Sequence, residues 1–170
     1  MTAAHDLQAL AKRLERLEAR VAITELLARY GRALDEWNED DMRLVIADDV
    51  IARHDAVAPP FKGIDILINI MRDLRPKVQA VQHFITNTHV ELDDDGAHAV
   101  ARAFVFAMHD TGVSRGGALL SAGGAYRMEV ARADTRLGWQ IKTIEVAENW
   151  FDPRILTDIY TDSPMSGQQP

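Results

Sequence analysis

The chain has 170 residues, 47% of them apolar and 26% charged, with a net charge of −7. That length suits one domain with a real core, and the acidic balance argues against a nucleic-acid surface, which needs clustered Lys and Arg. There is no cysteine, so disulfides, thiolate nucleophiles and cysteine-held metals are excluded.

The N-terminus runs straight into a charged helix, without a basic segment followed by an apolar one. No stretch approaches the roughly 20 apolar residues of a membrane span. A cytoplasmic protein with no membrane partner is the expectation.

Leu7, Leu10, Leu14, Leu17 and Val21 recur at 3-4-3-4 spacing, a helical period that Asp6 can cap. The pattern continues more loosely through Ile23, Leu26, Leu27, Tyr30 and Leu34, with a break expected near Arg20. The apolar stripe needs a partner: either the helix lies on the domain or it forms a coiled-coil arm. Residues 39–49 read as a short helix ending near Asp48, and 50–54 as a short strand. Residues 58–63 contain Pro59, Pro60 and Gly63 and read as a loop. Ile64, Leu67, Ile68, Met71 and Leu74 restore helical spacing until Pro76 stops it.

The period then changes to two. Residues 81–92 read as a strand rich in β-branched side chains, and Asp93 to Gly96 as an antiparallel turn. Residues 99–109, 119–132 and 139–150 are the next three strands. A glycine-containing loop over 110–117 and a turn over 134–138 separate them. Gly123-Gly124 marks a bulge or a close approach. Asp152 and Pro153 start a short C-terminal helix. A single domain over 1–162 and a frayed tail over 163–170 are expected. Helices first and antiparallel strands afterwards make an α+β domain with helices on one face of a sheet. The 99–109 strand is apolar on both faces, so its second face needs a cover. A homo-oligomer follows from that.

His83 opens the strand segment His83-Phe84-Ile85-Thr86-Asn87-Thr88, and Asp35 closes the first long helix. A carboxylate that fixes one imidazole nitrogen leaves the other free to accept a proton. Tyr30 can donate a hydrogen bond to a substrate oxygen. Five residues span about 140° of a helix, so Tyr30 and Asp35 converge only if a pocket wraps the helix end. His109, at the end of the next strand, can sit across that pocket. Asn87, four residues beyond His83, shares its strand face if the period of two is unbroken. Phe104, Phe106, Met108, Tyr126, Met128 and Trp150 are candidate pocket walls. His54, His89 and His98 join no constellation, and no metal site is expected. There is no nucleophile elbow, phosphate loop or dinucleotide fingerprint, so no cofactor is expected.

These segments together resemble the SnoaL-like group of the nuclear-transport-factor-2-like (NTF2-like) superfamily. The resemblance rests on Ile23 to Asp35 with its Tyr-x4-Asp, on Gly63, on His83-x3-Asn87, on Gly124-Ala125-Tyr126, on Gly138-Trp139-Gln140-Ile141, and on Trp150. It covers about residues 7 to 155. The family fold implies a cone: a curved mixed sheet wrapped by N-terminal helices around an apolar pocket. Members with a similar pattern include scytalone dehydratase, a hexachlorocyclohexane dehydrochlorinase and the bile-acid 7α-dehydratase. In these an Asp–His pair removes a proton and drives elimination. The resemblance thus implies catalytic roles for Tyr30, Asp35 and His83, with Asn87, Phe104, Phe106, Met108, His109, Tyr126 and Trp150 toward substrate. It further implies a cofactor-independent lyase acting on a hydrophobic cyclic small molecule such as an aromatic, polyketide or steroid, and a trimer before a dimer. Ile144 and Val146 stand where some relatives carry an arginine in the last strand. Two alternatives share the fold: a non-catalytic module like the β subunit of ring-hydroxylating dioxygenases, and a ketosteroid-isomerase-like enzyme. The second calls for an inward acid on the sheet, for which Glu145 is the candidate.

Overall fold

The computed structural model describes residues 3–54 and 58–160. The elements in chain order are α1 (Ala3–Asp35), α2 (Glu39–Val45), β1 (Ile46–His54), β2 (Ala58–Lys62) and α3 (Ile64–Leu74). Four long strands follow: β3 (Ala80–Leu92), β4 (His98–Asp110), β5 (Leu119–Arg132) and β6 (Trp139–Phe151). A π-helical turn, Ile155–Ile159, ends the described chain.

The strands form one unclosed, curved mixed sheet in the order β2-β1-β6-β5-β4-β3. The β1–β6 pair is parallel and the other four pairs are antiparallel. This is an α+β fold of the expected kind. The helices cover the inner face of the sheet and the core lies between them. Ile23, Leu27, Met42, Ile46, Ile68, Met128, Trp139 and Ile141 are almost wholly buried there.

α1 is rich in Ala, Leu, Arg and Glu, all strong helix formers. It runs without the break expected near Arg20. Trp37, in the left-handed region at φ 56, turns the chain after Asp35. The Asn38 side chain then caps α2 by accepting from Asp41 N–H at 3.0 Å. α2 stops at Val45, earlier than the expected Asp48, because residues 46–49 join β1, where Ile46 pairs with Ile141. Residues 58–62 are an edge strand, where the loop was expected. They pair with β1 at Ile51 and Lys62, and an edge tolerates prolines because one side of the strand needs no ladder donors. The expected tail over 163–170 lies outside the described residues.

The first half of α1 gains no cover from the described residues. Leu7, Leu10, Leu14, Leu17 and Val21 are all exposed, Leu7 at 68%. Burial begins at Ala19 and Ile23. The Arg16 guanidinium ties the helix to the β3–β4 turn by donating to the carbonyls of Leu92 and Asp93 at 3.2 and 3.1 Å. Among the described residues no helix is long and apolar enough to cross a membrane.

Ile23 and Leu14 share a helix but not an environment. Ile23→Ala is expected to cost about 2–5 kcal/mol and lower Tm by roughly 10 °C. Leu14→Ala is expected to move stability by less than about 0.5 kcal/mol in the dissociated chain. Urea unfolding of both variants at low protein concentration measures the contrast.

Candidate active site

α1 lies close against β3 because Gly31 has no side chain. An added Cβ there would stand 3.2 Å from Ile85 Cδ1. That close approach sets the C-terminal end of α1, and with it Asp35, beside His83. One carboxylate oxygen of Asp35 accepts two hydrogen bonds from His83: the backbone N–H at 2.9 Å and ring Nδ1 at 2.7 Å. An ionised carboxylate can only accept, so Nδ1 carries the hydrogen and Nε2 keeps its lone pair. The helix dipole disfavours a carboxylate at this end. The two donors from His83 offset that cost.

Strand alternation determines what else reaches the site. On β4 the odd-numbered residues Ala99, Ala101, Ala103, Ala107 and His109 are buried, whereas Phe104 and Phe106 are exposed. The small inner residues leave space. The resulting cavity has two lobes, of about 140 Å³ and about 90 Å³, both partly open to solvent. The lobes adjoin and share His54, His83, His109, Tyr126, Val146 and Tyr160. Leu34, Trp37, Phe61, Leu67, Met71 and Ile144 give the larger lobe an apolar wall.

Tyr30 is buried against Tyr126, ring centroids 6.0 Å apart and near perpendicular. Both residues line the larger lobe of the cavity. Burial pushes Tyr30 up to about 12, an effect the Tyr126 hydrogen bond reduces. Tyr126 is raised well above its ordinary value, first by burial and then by Tyr30. Asp35 itself does not line the cavity and reaches it only through His83. The cavity does wrap the end of α1, at Tyr30, Leu34 and Trp37. His109 lies beside His83, ring centroids 6.2 Å apart. Burial pulls its ring down to about 4, and the neighbouring His83 adds to that while Asp35 opposes it. Its Nδ1 is buried without a partner.

Several expected wall residues are elsewhere. Phe104, Phe106 and Met108 project from the outer face of β4, opposite Ala107 and His109. Trp150 lies on that outer face too, packed on Phe106 at 5.6 Å and over Gly123, where a Cβ would collide with its ring. Asn87 does not share the face of His83. The β3–β4 register shifts between Thr86 and His89, and Asn87 sits in that bulge at φ 54. The extra residue reverses the alternation, and Asn87 faces an outer groove with Arg102 and Phe104. Met128 is buried core and does not line the cavity.

Other residues join the site unannounced. His54 at the end of β1 and Glu148 on β6 both face the cavity, with His54 Nδ1 and Glu148 Oε1 2.5 Å apart. Tyr160 closes the far end, and burial pushes it up to about 12. Glu145, the candidate inward acid, instead pairs with Arg53 and Arg127 and does not line the cavity. Strand alternation was the available signal: Val50, Ala52 and His54 share one face, as do Ile144, Val146 and Glu148.

One group among the described residues has metal-like proximity: Asp93, Asp95 and His98, exposed at the β3–β4 turn. Asp95 is already committed there, accepting from the backbone N–H groups of Ala97 and His98 and from the His98 ring.

A SnoaL-like domain model matches residues 15–145. The chain belongs to the SnoaL-like family. A search of curated protein sequences gives no match. Solved structures share the fold. A hexachlorocyclohexane dehydrochlorinase from Novosphingobium barchaimii has a TM-score of 0.70 at 20% identity, covering 83% of this chain and 93% of its own. A candidate scytalone dehydratase from Novosphingobium aromaticivorans has a TM-score of 0.70 at 18% identity, covering 81% and 89%. An NTF2-like superfamily protein from Salmonella enterica has a TM-score of 0.65 at 15% identity, covering 77% and 91%. At these identities the likeness carries the SnoaL-like fold alone.

His109 gives a pH test. Its ring stays neutral in the fold down to about pH 4, whereas in the unfolded chain it takes up a proton near 6.5. This group therefore lowers stability as pH falls from about 6.5 to about 4 and has no effect above that window. His109→Gln should lose this part of the slope. Urea midpoints of both proteins at about pH 7 and about pH 4.5 measure it, and parallel losses in the two would refute the assignment.

Proposed function

We propose that this SnoaL-like protein is a cofactor-independent lyase that eliminates water from a hydrophobic cyclic small molecule such as an aromatic, polyketide or steroid. The observation that carries this reading is the Asp35–His83 pair, 2.7 Å apart, whose free nitrogen belongs to a ring lining the cavity. Dehydrochlorinase and dehydratase among the proteins of the same fold support it.

In this reading His83 Nε2 removes a carbon-bound proton next to an activating carbonyl. Asp35 holds the required tautomer and stabilises the imidazolium that forms. Tyr30 and Tyr126 keep their hydrogens at ordinary pH and so donate to the developing oxyanion rather than ionise. His109, neutral in the fold, adds no second positive charge beside the His83 cation. Exclusion of water by the apolar walls strengthens each of these contacts.

His83→Ala and Asp35→Asn should each lower turnover by about 10²–10⁴-fold while Tm moves only a few degrees. Loss of water from a panel of apolar cyclic β-hydroxyketones, followed by mass spectrometry, measures it. Wild-type turnover in either variant sinks the dyad.

A homo-oligomer, a trimer before a dimer, belongs to the same proposal. Phe84, Phe104, Phe106 and Trp150 form an exposed aromatic cluster on the outer face of the sheet, and the Leu7 to Val21 stripe is open as well. Contiguous apolar surface of this sort marks association. Light scattering should give a mass above 19.0 kDa, and Phe104→Asp with Phe106→Asp should lower it toward that of one chain. A wild-type monomer would remove the proposal.

A further inference from the structure

We propose that His54 is the general acid that protonates the departing oxygen, and that Glu148 is its positioning residue. The inference rests on the lyase reading and names the second half of that reaction.

His54 and Glu148 place a second imidazole–carboxylate contact in the cavity, built from different elements and made as a close ion-pair approach rather than an aligned hydrogen bond. Glu148 Oε1 lies 2.5 Å from His54 Nδ1, and its side chain is only 10% exposed. A buried carboxylate beside an imidazole, inside a cavity, is the arrangement in which ionisable groups perform chemistry. Glu148 leaves Nε2 as the nitrogen of His54 free to exchange a proton with a substrate. Both rings line both lobes or the shared part of the cavity, so a bound molecule can meet the two at once.

The pair is not needed to join its strands. β1 and β6 are already ladder-paired from Ile51 with Thr143 to His54 with Val146. A different pair, Arg53 with Glu145, spans them on the outer face. Among the described residues, the titratable groups that line the cavity with His54 are Tyr30 from α1, Arg53 from β1, His83 from β3, His109 from β4, Tyr126 from β5, Glu148 from β6 and Tyr160 beyond the last turn. The three cavity tyrosines are all held above their ordinary value by burial. His109 is held neutral. Among the described residues, His54 is the cavity imidazole besides His83 that has a carboxylate against it, the geometry of a group that passes a proton to a departing oxygen.

The step balances. His83 Nε2 takes the proton from carbon, and the C–H electron pair becomes the new C=C bond. The C–O bond breaks, and its oxygen takes the Nε2 proton of cationic His54 and leaves as water. One proton then returns from His83 to His54 through solvent.

The test runs a cyclic β-hydroxyketone, 3-hydroxycyclohexanone, in D2O with the full chain. Mass spectrometry reads deuterium gained at the α-carbon and water lost. In His54→Gln and in the isosteric Glu148→Gln, the ratio of deuterium gained to water lost should rise at least about 30-fold over wild type. With the 3-acetoxy analogue, whose departing acetate needs no proton, the ratio of deuterium gained to acetate lost in both variants should stay within about threefold of wild type. An unchanged ratio in His54→Gln and in a second variant, His54→Asn, with Tm retained, overturns the proposal. So does a wild-type protein that exchanges deuterium without losing water, and that result leaves the His83 base in place. If wild type does neither, both the base and the acid fail together.

Discussion

One oxygen of Asp35 holds both the backbone and the ring of His83, at 2.9 and 2.7 Å. The backbone bond fixes where β3 meets the end of α1. The ring bond fixes which nitrogen faces the cavity. Fold and tautomer therefore depend on the same atom. This requires α1 to approach β3 closely, which Gly31 permits, and requires the helix to stop at Asp35, which Trp37 and Asn38 enforce. A carboxylate placed one turn further along α1 would stand about 5 Å away along its axis, beyond hydrogen-bond reach of the imidazole.

The cavity follows from unequal side-chain sizes on the two faces of one sheet. The inner face places Ala103, Ala107, Ala122 and Gly124 in adjoining strands, and the outer face places Phe84, Phe104, Phe106 and Trp150. Bulk outside and little inside leaves a space under the helices that side chains of ordinary size would have filled. The polar groups rim that space from different elements: His54 from β1, His83 from β3, His109 from β4, Tyr126 from β5 and Glu148 from β6. No local segment contains the site. The curvature of the sheet assembles it.

That distribution explains what could be read from the residues. The order of helices and strands was legible because it is written in local periods of 3.6 and two. The Asp35–His83 pair was legible because both residues lie in segments that resemble a family. The orientation of β4 was not, since Phe104, Val105 and Phe106 are apolar on both faces and no local rule decides which face a helix covers. Asn87 was misplaced because a bulge adds one residue and inverts every later side chain. His54 and Glu148 each pointed inward by alternation, yet they became a pair only through the parallel β1–β6 register. Parallel pairing joins segments distant in sequence, so it leaves no local trace of the contact.

Protonation divides the cavity into two chemical kinds of side chain. Tyr30 and Tyr126 are buried and Tyr160 is half-buried, and desolvation opposes each phenolate, so each remains a hydrogen-bond donor. His109 is buried without a carboxylate in contact, and the same desolvation opposes its cation, so it remains a neutral ring. Among the described residues, His54 and His83 are the cavity imidazoles that have a carboxylate against Nδ1. Elimination needs one group to gain a proton from carbon and another to supply one to oxygen. A cavity with two carboxylate-backed imidazoles among fixed donors is suited to both transfers.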